Sequence, residues 1–289
     1  MKKLNISIPI VTPFDKKNNI DFFSLEKLIF YISNLEHINN IILFSKYSEY
    51  YSLSTNEKID IINCIQNNNK KNINIILKIN NIYNYNDVIY IINQKIYKNI
   101  YYIIIDYPNI SNIYKKDIIN NYNKIFKYFK YLYFFISIKN KNIDENIFNK
   151  IKETNKNFIG LIDQCNYEIY KYDLINNIKI IINNDIYLLK NIYNIDGIIS
   201  PLFLFFFDYI NNYIIKNIQN NKSFLYDKNY LNLIYFINIL YKKINPISGV
   251  KFLLNIIGIC KIYMKLPCNN IDNIIFYNNI KDIYNKIIN

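Results

Sequence analysis

Apolar and polar positions alternate in blocks along the first two-thirds of the chain. Short apolar runs, lacking the in/out alternation of a half-exposed strand, lie at Leu4–Val11, Asn39–Phe44, Asn72–Ile79, Ile100–Ile105, Leu132–Ile138, Phe158–Ile162, Ile178–Ile182 and Gly197–Ser200. Such runs fit parallel strands covered on both faces. Between them come segments with helical spacing, among them Phe22–Ser33 (apolar at Leu25, Leu28, Ile29 and Ile32), Glu57–Asn67 and Asn86–Gln94. Ser24 and Ser54 stand where N-caps belong, and Ser54-Thr55-Asn56-Glu57 matches a capping box. Eight strands alternating with helices at roughly thirty-residue spacing predict an α/β chain folded as a (β/α)8 TIM barrel.

After Pro201 the pattern is helical, over Asn211–Asn221, Tyr230–Lys243, Val250–Ile259 and Asn270–Ile288. That is more helix than the eighth unit needs. The expectation is one domain over 1–289, with a barrel over 1–225 and C-terminal helices over 226–289 packed against it. An open doubly wound sheet is the alternative, and it lacks a GxGxxG or P-loop to support it. No Gly/Ser or Pro linker divides the chain.

Composition narrows the function classes. Four cysteines (Cys64, Cys165, Cys260, Cys268) form no CxxC pair, so neither a disulfide framework nor a zinc site is expected, and a reducing, cytoplasmic setting fits. The opening MKKLNISIPIVTPFD has two lysines and an apolar run but no small-residue cleavage site, and it reads as a first strand rather than a signal peptide. Ile198–Phe207 is too short to span a bilayer. The net charge of +13 invites a nucleic-acid reading, yet Lys70-Lys71 and Lys242-Lys243 are isolated pairs rather than a dense basic block. Ile, Asn, Lys, Tyr and Phe dominate while Gly (4), Pro (6), Met (2) and Trp (0) are scarce. AT pressure on the gene, as in a reduced genome, accounts for this, including the 30 tyrosines. With Gly so rare, turns needing positive φ are expected to use Asn. The single histidine, His37, reads as a surface residue, which excludes a His-based metal cluster or a Ser-His-Asp triad.

Five colinear stretches carry a resemblance. They are Val11-Thr12-Pro13-Phe14-Asp15 with Leu25-Glu26-Lys27-Leu28-Ile29; Ser45-Lys46-Tyr47-Ser48-Glu49 with Leu53-Ser54 and Glu57-Lys58; Asn157-Phe158-Ile159-Gly160-Leu161-Ile162-Asp163; Asp196-Gly197-Ile198-Ile199-Ser200; and Asn245-Pro246-Ile247-Ser248-Gly249-Val250-Lys251 with Gly258 and Lys265-Leu266-Pro267. In order and distance they resemble the opening, the GTTGE motif, the IIGIKE strand, the GVIS strand and the NPIPVK…G…RLP tail of the dihydrodipicolinate synthase and N-acetylneuraminate lyase family.

The resemblance implies a class I aldolase-type barrel without cofactor or metal, a homodimer or homotetramer acting on pyruvate and a small aldehyde, with neither nucleic acid nor membrane as partner. It implies a lysine at the end of strand six that forms a Schiff base with pyruvate, and a strand-five tyrosine that relays protons. Matched residue by residue, the lysine position holds Ile162, and a Schiff base cannot form on isoleucine. Phe134 falls at the tyrosine position, with Tyr133 adjacent, and a one-residue slip decides which side faces inward. Tyr107 matches a tyrosine donated across the dimer interface. Lys46 and Tyr47 replace the threonines of GTTGE, Lys139 replaces a substrate-binding arginine and loses its fork, and Ile199 keeps a pyruvate-contacting position. Lys46, at a strand's catalytic end, is the candidate for a relocated amine. Glu49 and Glu57 read as orienting groups, and Lys251 as structural. Two functions follow: a 4-hydroxy-tetrahydrodipicolinate synthase-like lyase of lysine biosynthesis, or a catalytically inactive member kept as a partner subunit or decaying paralogue.

Overall fold

Each of the eight apolar runs forms a strand, and Ile is the commonest residue in them because its β-branched side chain packs well on a pleated surface. A computed structural model of the chain describes residues 4–80, 89–90, 99–108, 114–139, 144–164, 178–185, 195–210, 228–242, 245–265 and 274–288. The strands are β1 (Asn5–Pro9), β2 (Asn40–Leu43), β3 (Asn74–Ile79), β4 (Ile100–Asp106), β5 (Tyr133–Ile138), β6 (Phe158–Asp163), β7 (Lys179–Ile182) and β8 (Gly197–Ile199). All pair in parallel in sequence order, and β8 closes back on β1 through Asn5↔Gly197 and Ile6↔Ile198. The (β/α)8 barrel is therefore closed.

Helices α1 (Phe22–Asn34), α2 (Thr55–Asn68), α3 (Lys115–Tyr128) and α4 (Glu145–Thr154) cover the strands, and α5 (Lys228–Lys242), α6 (Pro246–Ile256) and α7 (Ile274–Ile288) follow the barrel. The predicted helices Asn86–Gln94 (apart from 89–90, which are helical) and Asn211–Asn221 lie outside the described residues. At α2 the capping box forms as read: Ser54 Oγ accepts from Glu57 N at 3.2 Å, and Glu57 Oε2 accepts from Ser54 N at 2.8 Å. At α1 the cap is Asp21 rather than Ser24. The Asp21 carboxylate accepts from Ser24 N at 3.0 Å and from Ser24 Oγ at 2.6 Å, so Ser24 sits inside the first turn. A carboxylate caps as well as a hydroxyl and also complements the helix dipole. Helix α6 begins four residues before its predicted start, because Asn245 caps it and Pro246 is tolerated where no N–H is needed.

Three apolar regions hold the layers together, one of which packs β4, β5 and β6 against α3 and α4 through Phe126, Phe134, Phe148 and Phe158. Outside the strands, one core joins β1, β2, β3, α1 and α2 to the C-terminal helices through Leu233, Phe236, Leu253, Leu254 and Ile280, so those helices share the barrel's own core. Inside the barrel, Ile42, Ile76, Ile104, Phe135, Ile162, Ile181 and Ile199 form a separate apolar layer. Gly160 belongs to this inner packing for lack of room. A Cβ there would stand 2.4 Å from the Lys179 carbonyl oxygen and 2.8 Å from the Phe135 ring. Replacing Gly160 with Ala should therefore destabilise the fold by about 1–3 kcal/mol through overpacking. Urea denaturation would read this as a lower midpoint at unchanged slope; an unchanged midpoint would contradict the packing described.

Candidate active site

The apolar layer forms the floor of a pocket at the carboxyl ends of the strands, where inward side chains change from isoleucine to polar groups. On β3 the inward face runs Ile76, Lys78, Asn80; on β5 Phe135, Ser137, Lys139; on β6 Gly160, Ile162, Gln164. The pocket has a volume of about 90 Å³. At ~15 Å³ of such volume per water, it holds about six waters or a ligand of comparable size. Its lining includes Lys46, Lys78 and Lys139, and among the described residues no carboxylate lines it, although Asp106 pairs with two of these lysines. A small anion is the ligand this field attracts.

One wall is a turn held in an uncommon backbone shape. Phe44 (φ 60°) and Glu49 (φ 52°) both occupy the left-handed region, one before and one after the 3₁₀ turn Lys46–Ser48. Among the described residues, Asn18, Asn72 and Asn99 take positive φ, as the glycine shortage predicts, and so do His37, Phe44 and Glu49. Bulky residues persist there only where surroundings over-determine the conformation. The surroundings are visible. Asn80 Nδ2 donates to the Phe44 carbonyl at 2.7 Å, Thr12 Oγ1 donates to the Ser48 carbonyl at 2.8 Å, and Ser48 Oγ donates to the Ser45 carbonyl at 2.8 Å.

Glu49 is the anchor. Neither its side chain nor that of Lys251 on α6 is exposed, and Lys251 Nζ donates to Glu49 Oε1 at 2.5 Å. Lys251 Nζ also donates to the Tyr263 carbonyl at 2.7 Å, and Lys265 N donates to Glu49 Oε2 at 2.8 Å. Burial pushes the Glu49 carboxyl's pKa up, while the Lys251 and Lys265 charges oppose it. Lys265 Nζ reaches on to Glu57 Oε1 at 2.6 Å, tying the tail to the α2 capping box.

Three lysines set the electrostatics of the mouth. Lys78 is buried, its side chain 7% exposed, and its Nζ lies 3.0 Å from Asp106 Oδ1. That contact is an ion pair without an aligned hydrogen bond, for Oδ1 accepts none. Lys139 Nζ donates to the other oxygen, Asp106 Oδ2, at 2.5 Å. Burial lowers the Lys78 pKa, and Lys139 and Lys46 push the same way against Asp106. The Lys46 pKa is also lowered, first by burial and then by Lys139, with Asp185 opposing. Lys46 is nonetheless an exposed residue. The concave mouth crowds its ammonium with protein atoms without covering it.

Ile162, Lys46, Tyr47, Lys139 and Ile199 all meet at this pocket. Tyr133, Phe134 and Tyr107 do not line it. Phe134 faces outward and stacks on Phe126 at 4.4 Å between ring centres. Tyr133 starts β5 at the amino end of the strand, 47% exposed, and lines a groove with Lys130 and Lys156. Parity and height along the strand both had to be right, and the inward group at the height of Ile162 is Ser137, its register partner. The Ser137 hydroxyl accepts from Gln164 Nε2. Tyr107 leaves the end of β4 outward and packs on Phe148 of α4 at 5.6 Å. Lys78 also lines the pocket, with Asp106 against it, and no motif in the sequence marks either residue. The signal for Lys78 was a single charge inside the apolar run NIILKI, in phase with the inward face.

Comparison with known proteins agrees with this architecture. The profile of the dihydrodipicolinate synthetase family matches residues 2–82. The 4-hydroxy-tetrahydrodipicolinate synthase of Karelsulcia muelleri (strain GWSS) is 31% identical over 283 residues, 92% of each chain. The chain belongs to the dihydrodipicolinate synthetase family. Solved structures share the fold at lower identity. An N-acetylneuraminate lyase from Mycoplasma synoviae has a TM-score of 0.83 at 16% identity, over 100% of this chain and 99% of that one. The 4-hydroxy-tetrahydrodipicolinate synthase from Methylacidiphilum fumariolicum SolV has a TM-score of 0.78 at 15% identity, over 99% and 97%. Among the described residues, no group of three or more His, Cys, Asp or Glu side chains could hold a metal ion, and no helix is long and apolar enough to cross a membrane.

Removing one member of a fully buried pair strands the other charge, so Lys251→Met should cost about 3–5 kcal/mol. The double variant Glu49→Gln/Lys251→Met should recover part of that loss in a double-mutant cycle. Additive losses would mean the two groups are not coupled.

Proposed function

We propose that this chain is a pyruvate-dependent carbon–carbon lyase or synthase of the 4-hydroxy-tetrahydrodipicolinate synthase type, condensing pyruvate with aspartate semialdehyde. The observation that carries the reading is the pocket itself: an apolar floor at the carboxyl end of a closed barrel, ringed by three lysines. Both substrates are small carboxylates, and a pocket with an apolar floor and fixed positive charge binds such ions and stabilises carbanion-like charge that develops next to a carbonyl. Lys46 and Lys139 take the carboxylates. The Ser137 hydroxyl, oriented by Gln164, is the group in the pocket suited to pass a proton between C3 and solvent. The similarity to the Karelsulcia muelleri synthase over nearly the whole chain supports the synthase over the sialate lyase. The expected setting is the cytoplasm, and the expected assembly a homodimer or homotetramer.

The second reading has its own observation. Ile162 is 1% exposed and completes the inner layer. A strand-six amine is gone, and its place is sealed by packing. On this reading the barrel is a catalytically silent partner subunit.

Steady-state turnover separates the two. The purified, folded chain should consume pyruvate only when aspartate semialdehyde is present, and it should not release pyruvate from N-acetylneuraminate. Pyruvate left untouched in the presence of the aldehyde overturns the synthase reading in favour of the silent subunit. Release from N-acetylneuraminate would reassign the substrate.

A further inference from the structure

We propose that Lys78 on β3 is the amine through which this pocket binds its 2-oxo acid covalently, reaching from the far side of the barrel over the floor that Ile162 now seals. The inference rests on the reading of the pocket as a 2-oxo acid site.

The position meets the demands of a nucleophilic amine. Lys78 points inward one turn of the pleat above Ile76, lines the pocket with Ile104 and Ile162, and is shielded from bulk water. A lysine becomes nucleophilic at neutral pH when it is desolvated or set beside other cations, because both disfavour its ammonium form. Lys78 has both conditions: burial, and Lys139 and Lys46 as neighbours. Its rivals have less. Lys139 is 45% exposed at its side chain and its Nζ is engaged by Asp106 Oδ2. Lys46 is an exposed residue at the rim.

Asp106 provides the proton route. Its Oδ1 lies 3.0 Å from Lys78 Nζ, close enough to take a proton from the ammonium. The neutral amine attacks the carbonyl carbon; a C–N bond forms, the C=O π pair moves to oxygen, and that oxygen takes up the proton that the newly charged nitrogen gives up. The nitrogen lone pair of the neutral carbinolamine then expels the hydroxyl, which leaves as water with the proton that Asp106 held, and a protonated imine remains. In sum, ammonium plus ketone gives iminium plus water, with no oxidant or reductant. Asp106 ends as the counter-ion of the iminium, which occupies the place of the ammonium it replaced.

The test is borohydride reduction of the full native chain in the presence of pyruvate, followed by intact-mass measurement and peptide mapping. The expected result is one reduced pyruvyl group, on the peptide carrying Lys78. Lys78→Arg keeps the charge facing Asp106 but cannot form an imine; it should lose trapping, and turnover with it by on the order of 10³-fold or more. Mapping of the native chain holds even if that variant does not fold. An adduct on Lys46 or Lys139 overturns the assignment to Lys78 and leaves the 2-oxo acid reading standing. Turnover by the native chain without any trapped adduct does the same. Neither adduct nor turnover, from folded protein, overturns both.

Discussion

The buried ion pair between Glu49 and Lys251 ties the pocket to the rest of the molecule. Glu49 ends the turn that forms one wall of the site, and Lys251 belongs to a helix some two hundred residues later in the chain. An ion pair without water gains its attraction only if both charges also find further hydrogen-bond partners. Both do, through the Tyr263 carbonyl and the Lys265 amide. The C-terminal helices are thus more than a cover for an apolar face. They hold the left-handed backbone of Glu49 in place, and with it the positions of Lys46 and Tyr47 at the mouth.

The site departs from the pattern its sequence resembles by exchanging where charge and bulk lie. Strand six contributes an isoleucine to the floor, and the glycine below it leaves space that the Phe135 ring fills. Strand three contributes a buried lysine, and strand four the carboxylate that faces it. A barrel allows this because inward positions from all eight strands converge on one small volume. Charge balance then becomes a matter of the pocket as a whole: Asp106 divides its two oxygens between Lys78 and Lys139, and Lys46 adds a third cation at the rim.

Much of this was legible in the chain. Eight apolar runs at regular spacing determine a parallel α/β sheet and favour a barrel, since a strand buried on both faces must be apolar throughout and parallel neighbours need helical crossovers. The capping box at Ser54 and the substitution at position 162 follow from local residue identity. So does the replacement of the motif's threonines by Lys46 and Tyr47 in the turn after β2. The cap of α1 is Asp21 where the pattern equally offers Ser24, because both are good caps three residues apart and only the first helical φ/ψ pair decides between them.

Tertiary structure decided what local pattern leaves open. Strand register turned Phe134 outward and left Tyr133 at the wrong end of β5, since a side chain's destination depends on parity and on height along the strand. It brought Lys78, Asp106 and Lys139 together across three strands, residues separated by 28 and 33 positions that no spacing rule connects. It also set which lysine is desolvated. The sequence by itself determined the barrel, the family and the absence of an amine on strand six. Which other amine is buried next to a carboxylate depends on burial and distance, and those exist only once the strands have closed.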